Sequence, residues 1–428
     1  MKEFLLNLSR KKFVRNVFIM ATGTAAAQGV MMLFSPFITR LYGPEIFGVQ
    51  GVFMSIAGIF APIAALAYPI AIVLPRKRED AKGLAKLSLY ITVVITLLVG
   101  LILFLFNQPL VKWLQMEEIT SYLYLIPIFI FFSGFLQVIE QWLIRENKFS
   151  VSAKSTFLHA LLLQGSKVGV GFFYPLASVL VILSTAGQAL KAVLMIGMSK
   201  DTWKQTDDNK NNPSLKVLAK EHRDFPIYRA PQVFIDGFSQ SLPVILLASF
   251  FGPAASGFFT ICKTVLAIPT KLIGKAVGDV FYPRITEAAN NKERLSDLIK
   301  KATLALGGIG IIPFGLIILL GPWLFELVFG ADWERAGEYA RWLALWGYFK
   351  FINQPSVKSL AVLGVQSFHL GYTIITFVVR MAALTVGYYV FNNDLVAVAL
   401  FGVTGAILNF LLIFITLRIS KRFDSQFP

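Results

Sequence analysis

Residues 35–48, SPFITRLYGPEIFG, end one apolar run and open the next, and the pattern returns in altered form at 242–257, LPVILLASFFGPAASG. In each copy an apolar run of helix length is closed by Gly-Pro, with a second glycine five residues after the first: Gly43, Pro44 and Gly48, then Gly252, Pro253 and Gly257. Gly-Pro stops a helix and turns the chain. A second pair recurs at nearly the same separation, because Pro75-Arg76 and Pro283-Arg284 each close the following apolar run; the two offsets are 209 and 208 residues. This spacing reads as two homologous halves, each with several membrane spans, in which a shared turn joins the first helix to the second.

Composition places such a chain in a bilayer. Of its 428 residues 56% are hydrophobic and 14% aromatic, with a mean hydropathy of +0.67, more apolar surface than a soluble core of this size could bury. A net charge of +16 would suggest nucleic acid in a soluble protein. Here Lys and Arg gather in the short connections between apolar runs, which is the positive-inside pattern, and no nucleic-acid partner is expected. Cys262 is the single cysteine, so no intrachain disulfide can form. His159, His222 and His369 have no metal-ligand spacing, and no phosphate loop or HExxH motif occurs, so neither a metal nor a cofactor is expected. Gly307-Gly308-Ile309-Gly310 sits in an apolar span, where glycines serve close helix packing.

At roughly 20 apolar residues per span the sequence predicts about twelve transmembrane helices. Six lie near 17–39, 47–74, 84–106, 122–144, 151–172 and 175–197, and six near 226–251, 257–280, 302–320, 339–363, 368–390 and 395–417. The expected organisation is an N-lobe of helices 1–6 over residues 1–198, a polar linker at 199–224 and a C-lobe of helices 7–12 over 225–428. Basic residues mark the termini and the linker as cytoplasmic, whereas the opposite side holds few, among them Arg40, Lys112, Arg335 and Arg341. No outer connection exceeds roughly 20 residues, too little for an external catalytic domain, and no catalytic group stands out.

A charge at the centre of a span costs roughly 2.5 to 3.5 kcal/mol unless it meets a partner or water. Asp236, Lys271, Lys350 and Arg380 are deep by residue count. Arg229, Lys275, Lys191, Lys167 and Lys263 lie one or two turns from a span end, where long stems reach the headgroups; Lys263 is the expected exception, since it shares a span with Lys271. One deep acid cannot neutralise three deep cations, so a water-filled basic cavity lined by Arg380, Lys350, Lys271 and Lys263 is expected. A Lys275–Asp279 pair at i, i+4 would leave Lys271 free. Asp236 is either a coupling site for a proton or cation, or the counter-ion of Lys271 or Arg380. Arg40, beside the first Gly-Pro turn, either caps open helix carbonyls or touches substrate. Trp142, Trp323 and Trp333, near span ends, read as interfacial anchors.

These residues resemble a known family, the bacterial polysaccharide or O-antigen flippases of the Wzx type, in the superfamily that also holds lipid II flippases and MATE exporters. The likeness covers nearly the whole chain. It is carried by Ser35-Pro36, by the run from Thr39 through Glu45 with Phe47-Gly48, and by Ala71 to Pro75, Phe225-Pro226, Leu242-Pro243, Phe250-Phe251-Gly252 and Phe281-Tyr282-Pro283. The resemblance implies an all-α integral membrane protein of two pseudo-symmetric six-helix lobes around a cavity open to each side in turn. It implies movement of an undecaprenyl-pyrophosphate-linked oligosaccharide to the outer leaflet of the inner membrane, for O-antigen, lipopolysaccharide or another surface polysaccharide. Partners would be the lipid carrier, membrane lipids and other polysaccharide-assembly proteins. Two further classes compete: a MATE-like exporter of small organic cations, which calls for carboxylates in the cavity, and a membrane-bound glycan polymerase or ligase, which calls for catalytic groups.

Overall fold

The computed structural model describes residues 2–114, 116–199, 214–270 and 275–425, with side-chain surroundings for 19–112, 116–199, 214–270 and 281–425. No strand occurs among the described residues. That is what a bilayer dictates for this composition, because every backbone polar group in hydrocarbon must be satisfied within its own segment. Among the described residues eight helices are long and apolar enough to cross a membrane. One of them, 19–63, joins the first expected span to the first part of the second at the first Gly-Pro turn.

The chain forms two compact units, residues 1–253 and 254–428. In the first, α1 (Lys2–Phe60) is interrupted at Gly43, whose φ of 66° and ψ of 173° only glycine adopts freely. Pro44 then starts the second half of α1 with its φ already set. Tyr42 is 3% exposed, and its hydroxyl donates to the Lys167 carbonyl at 2.8 Å, over Gly171, where a Cβ would collide with the ring. The motif around Gly43 therefore fastens α1 to α4 (Phe149–Phe173). Beyond Phe60 the expected second span is not α-helical. It continues as short 3-10 turns at Ala61–Ile63 and Tyr68–Val73, with Leu66 and Ala67 at positive φ, in a stretch interrupted by Pro62 and Pro69.

Three further helices belong to this unit before the linker: α2 (Arg78–Leu114), α3 (Ile126–Arg145) and α5 (Ala177–Met198). Only 17% of the most apolar stretch of α2 is buried, the burial of a lipid-facing helix. Arg145 ends α3 and donates to the carbonyls of Ile72 at 3.1 Å and Pro75 at 2.7 Å. It satisfies backbone acceptors that the 3-10 turns leave open. The tail of the linker forms α6 (Leu215–Glu221), with Leu218 buried among Tyr68, Ile72, Leu84 and Trp142. Tyr68 donates to the Ala219 carbonyl at 3.0 Å. The last helix, α7 (Ala230–Phe251), packs on α1, with Gly237 against the Gly58 carbonyl. The packing unit therefore runs past the linker, whereas the sequence repeat divides the chain at it.

In the second unit α8 (Pro253–Pro269) follows Gly252, whose φ of 86° and ψ of 175° reproduce the backbone of Gly43. The second repeat mark behaves differently from expectation. Pro283 lies inside α9 (Lys275–Asn290), which continues two turns past it as a polar helix. Next come α10 (Leu295–Phe329) and α11 (Glu334–Ile352). Three glycines of α10, Gly307, Gly310 and Gly321, face α11: a Cβ at Gly310 would stand 3.0 Å from Phe351, and one at Gly321 would stand 2.6 Å from the Gly337 carbonyl. The expected span at 339–363 is broken at Asn353, because Pro355 starts a new helix, α12 (Gln354–Val362). Two long helices, α13 (Gln366–Tyr389) and α14 (Asp394–Asp424), close the unit.

Two tryptophans correct the sequence reading. Trp142 and Trp333 are 2% and 1% exposed and belong to the core, Trp333 edge-on to Phe258 at 6.1 Å. Trp323, 56% exposed, keeps the surface position of an anchor.

Candidate functional site

Arg380 lies on α13, nine residues from its C-terminal end at Tyr389, about 14 Å into the helix at 1.5 Å per residue. Its guanidinium carbon sits 3.9 Å from the ring centre of Trp346 on α11 and 3.8 Å from that of Phe401 on α14. The two rings meet edge to face at 5.9 Å, and Phe259 of α8 supports Phe401 at 5.8 Å. Aromatic faces hold the cation through their quadrupoles without using its N–H groups. Accordingly, Nε and Nη2 of Arg380 are buried with no hydrogen-bond partner. Unmade hydrogen bonds to a buried charged group cost more than the roughly 1–3 kcal/mol of a neutral one.

Gly405 makes the stack possible. A Cβ there would stand 2.7 Å from Cδ1 of Trp346 and 2.9 Å from Nε of Arg380. One turn on, Asn409 donates to the Gly405 carbonyl at 2.8 Å and accepts from Nδ2 of Asn353 at 3.0 Å. The break between α11 and α12 is thus tied to the helix under the arginine.

Lys350 lies in the last turn of α11, where the helix dipole favours a cation. It is exposed, stands 5.1 Å from the centre of the Trp346 ring, and is within electrostatic range of both Arg380 and Lys263. Lys263, on α8 one turn after Phe259, is also exposed. Three of the expected cationic residues therefore share one side of the unit. Lys271 lies outside the described residues, as do the side chains of Lys275 and Asp279. Among the described residues no carboxylate pairs with Arg380 or Lys350. Arg40 and Asp236 are on α1 and α7 of the first unit, and both are exposed.

Two cations read as snorkelling behave otherwise. Lys191 pairs with Glu140 at 2.7 Å between α5 and α3, and Lys167 is only 8% exposed. Arg229 does stay at the surface, bonded to Gln232 at 2.9 Å. The residue counts gave their depth but not the direction each side chain takes around its helix. At the far end of the second unit Arg335 bridges Glu338 and Asp394, both at 2.6 Å, and Tyr339 donates to Asp394 at 2.6 Å. That network joins α11 to α14. The sequence reading missed Trp346, Phe401, Gly405 and Asn409; the available signal was Trp346 and Lys350 at i, i+4 on one helix.

Comparison with known proteins bears on this arrangement. The profile of a family described as polysaccharide biosynthesis protein matches residues 37–338. Over 346 residues the chain is 22% identical to the succinoglycan biosynthesis transport protein ExoT of Rhizobium meliloti (strain 1021), covering 79% of this chain and 67% of that one. Over 265 residues it is 21% identical to the amylovoran biosynthesis protein AmsL of Erwinia amylovora, covering 61% and 66%. The alignments thus span about two thirds of the length of these curated relatives. Among solved structures, an inward-facing multidrug resistance MATE family transporter superposes with a TM-score of 0.70 at 14% identity, covering 92% of this chain and 95% of that one. Lipid II flippase MurJ in an inward closed conformation gives 0.66 at 14% identity, covering 94% and 90%. At such identity the likeness is one of fold. The chain is an all-helical, multi-pass membrane protein that belongs to the polysaccharide biosynthesis protein family.

Proposed function

We propose that the protein is a flippase that moves a polyprenyl-diphosphate-linked oligosaccharide from the cytoplasmic to the outer leaflet of the bacterial inner membrane by alternating access, for assembly of a surface polysaccharide. One observation carries this reading: the Arg380 guanidinium is held between Trp346 and Phe401 with Nε and Nη2 unpaired, beside Lys350 and Lys263. A diphosphate offers acceptor oxygens for those donors, and charge-assisted hydrogen bonds of this kind are about twice as strong as neutral ones. The planar fork of Arg380 can bridge two oxygens, while the lysines supply point charges.

The fold is shared with exporters of other cargo, but a cluster of three cations repels an organic cation. The reading also assigns no catalytic step, so the protein acts as a transporter and not as an enzyme. The biosynthetic roles named for the two curated relatives support a lipid-linked glycan as cargo. Both termini and the linker are assigned to the cytoplasm on the distribution of Lys and Arg. The test is surface glycan in cells carrying variants matched for membrane protein level. Arg380→Lys retains part of the wild-type amount, and Arg380→Ala and Arg380→Glu lose it progressively. Wild-type glycan in both Arg380→Ala and Lys350→Ala rejects the basic-site mechanism.

A further inference from the structure

In the first unit α7 carries a polar stripe that the diphosphate site does not use. The apolar span containing this helix runs over Phe225–Phe251, and Asp236 lies about 17 Å from its first residue and about 22 Å from its last, at 1.5 Å per residue. Gln232, Asp236 and Gln240 follow one another at intervals of four residues, so each turns only about 40° from the one before and all three share a face. All three are exposed. At the foot of the stripe the Arg229 guanidinium donates to Oε1 of Gln232 at 2.9 Å, which occupies the amide oxygen and leaves its N–H groups to a ligand.

Another side of the helix packs on α1. Ala230 and Ser241 are buried, and a Cβ at Gly237 would stand 2.9 Å from the Gly58 carbonyl. These three residues lie roughly 100–140° round the helix from Asp236, so packing on α1 fixes the rotation that presents the stripe. Tyr228 and Ile235, 71% and 60% exposed, border it on one side. Among the described residues no cation pairs with Asp236, so the counter-ion role considered from the sequence finds no partner there.

A carboxylate and two amides across the middle of a span are expensive against lipid, and such residues face a bundle interior or a water-filled cavity. An exposed stripe of this kind therefore faces water. Its chemistry is selective. Gln offers both donors and an acceptor, whereas an ionised Asp only accepts. Together they match hydroxyl groups, which donate and accept, and the negative charge of Asp236 repels a phosphate or a carboxylate. The three side chains spread over about 12 Å of helix, with an apolar edge beside them, which fits rings that are hydroxylated at the rim and apolar on their faces.

We propose that the Gln232, Asp236 and Gln240 face of α7 is a saccharide-binding subsite that receives neutral sugars of the cargo and disfavours acidic ones. The inference rests on the transporter reading and adds to it a place for the glycan and a rule for its charge. Asp236 accepts from sugar hydroxyls, Gln232 donates to them, and the Gln240 amide can do both. A uronic acid at the same place sets its carboxylate against that of Asp236, and a built-in repulsion of this kind is how a site rejects a close analogue.

The first test asks whether the stripe meets water and sugar. In a Cys262→Ser background, Gln232→Cys, Asp236→Cys and Gln240→Cys proteins in liposomes should react with a small water-soluble thiol reagent manyfold faster than Leu98→Cys, on lipid-facing α2, because the reactive thiolate forms in water. Prior addition of polyprenyl diphosphate N-acetylglucosamine should slow labelling at all three positions, and the same lipid without sugar should not. Labelling as slow as at Leu98→Cys, or binding of both lipids without sugar-dependent protection, overturns the subsite alone. No binding of either lipid would reject the diphosphate reading, and the subsite with it.

The second test compares translocation of that probe with the same lipid carrying glucuronic acid. Wild-type protein should move the neutral probe roughly tenfold faster, the discrimination expected of about one hydrogen bond to a charged group. Asp236→Asn keeps the shape and removes the charge, and should bring the two rates together by speeding the acidic probe. Arg380→Ala should instead slow both alike. No preference in wild type, or an undiminished preference or loss of both rates in Asp236→Asn, overturns the charge rule.

Discussion

Gly405 carries no charge and no side chain, yet the cationic site depends on it. Trp346 and Arg380 occupy the space that its Cβ would fill, with contacts of 2.7 and 2.9 Å. Gly405→Ala should therefore displace the guanidinium or the indole. Overpacking of this kind costs about 1–3 kcal/mol, and the expected outcome is a lower unfolding temperature in detergent together with reduced surface glycan. A variant with the wild-type unfolding temperature and full glycan would mean that the stack is not needed. At this scale the sequence was informative only where it broke a rule. Arg380 and Lys350 stand out because a cation in an apolar span needs a reason. Trp346 and Phe401 do not, because 14% of the chain is aromatic and a ring in a membrane helix needs none. Trp142 and Trp333 show the same limit: closeness to a span end suggested headgroups, whereas burial against neighbouring helices decided their place.

Among the elements, the two Gly-Pro turns carry most of the information. Gly43 and Gly252 share a conformation near φ 66–86° and ψ 173–175°, and nothing lies within 4 Å of where either Cβ would be. The glycine is thus required by the backbone and not by a neighbour. Alanine at either position should cost about 1–3 kcal/mol of strain, read as a lower unfolding temperature for Gly43→Ala and for Gly252→Ala. No change in either would contradict the account. These turns were legible because their chemistry is local: one residue type is tolerated and the next presets its own φ. The break at Asn353 and the 3-10 segment after Phe60 were less so, since Pro355, Pro62 and Pro69 sit in apolar runs long enough to read as uninterrupted spans. Proline inside a membrane helix is often accommodated, and here only the packing reveals that the helix stops. Continuation of α9 past Pro283 is the converse case.

For the whole molecule, apolar content and charge distribution sufficed to read a many-span, all-helical membrane protein, because both follow from the solvent the chain must meet. The position of the cationic cluster within the second unit was legible in part. Depth along a helix follows from counting residues, but which side chains converge depends on the rotation of each helix about its axis, which a short sequence pattern fixes poorly in an apolar surround. Convergence of Arg380 and Lys350 on Trp346 supports one chemical role for the cluster: binding a diphosphate. That claim is tested most directly by equilibrium binding of undecaprenyl diphosphate to the purified protein. Hydrogen bonds to a charged group are worth about 1.5–3 kcal/mol, so Arg380→Ala should weaken binding by roughly 10- to 100-fold. Arg380→Lys should fall between that variant and wild type. Equal affinity in wild type and Arg380→Ala, with both proteins folded, would contradict the account.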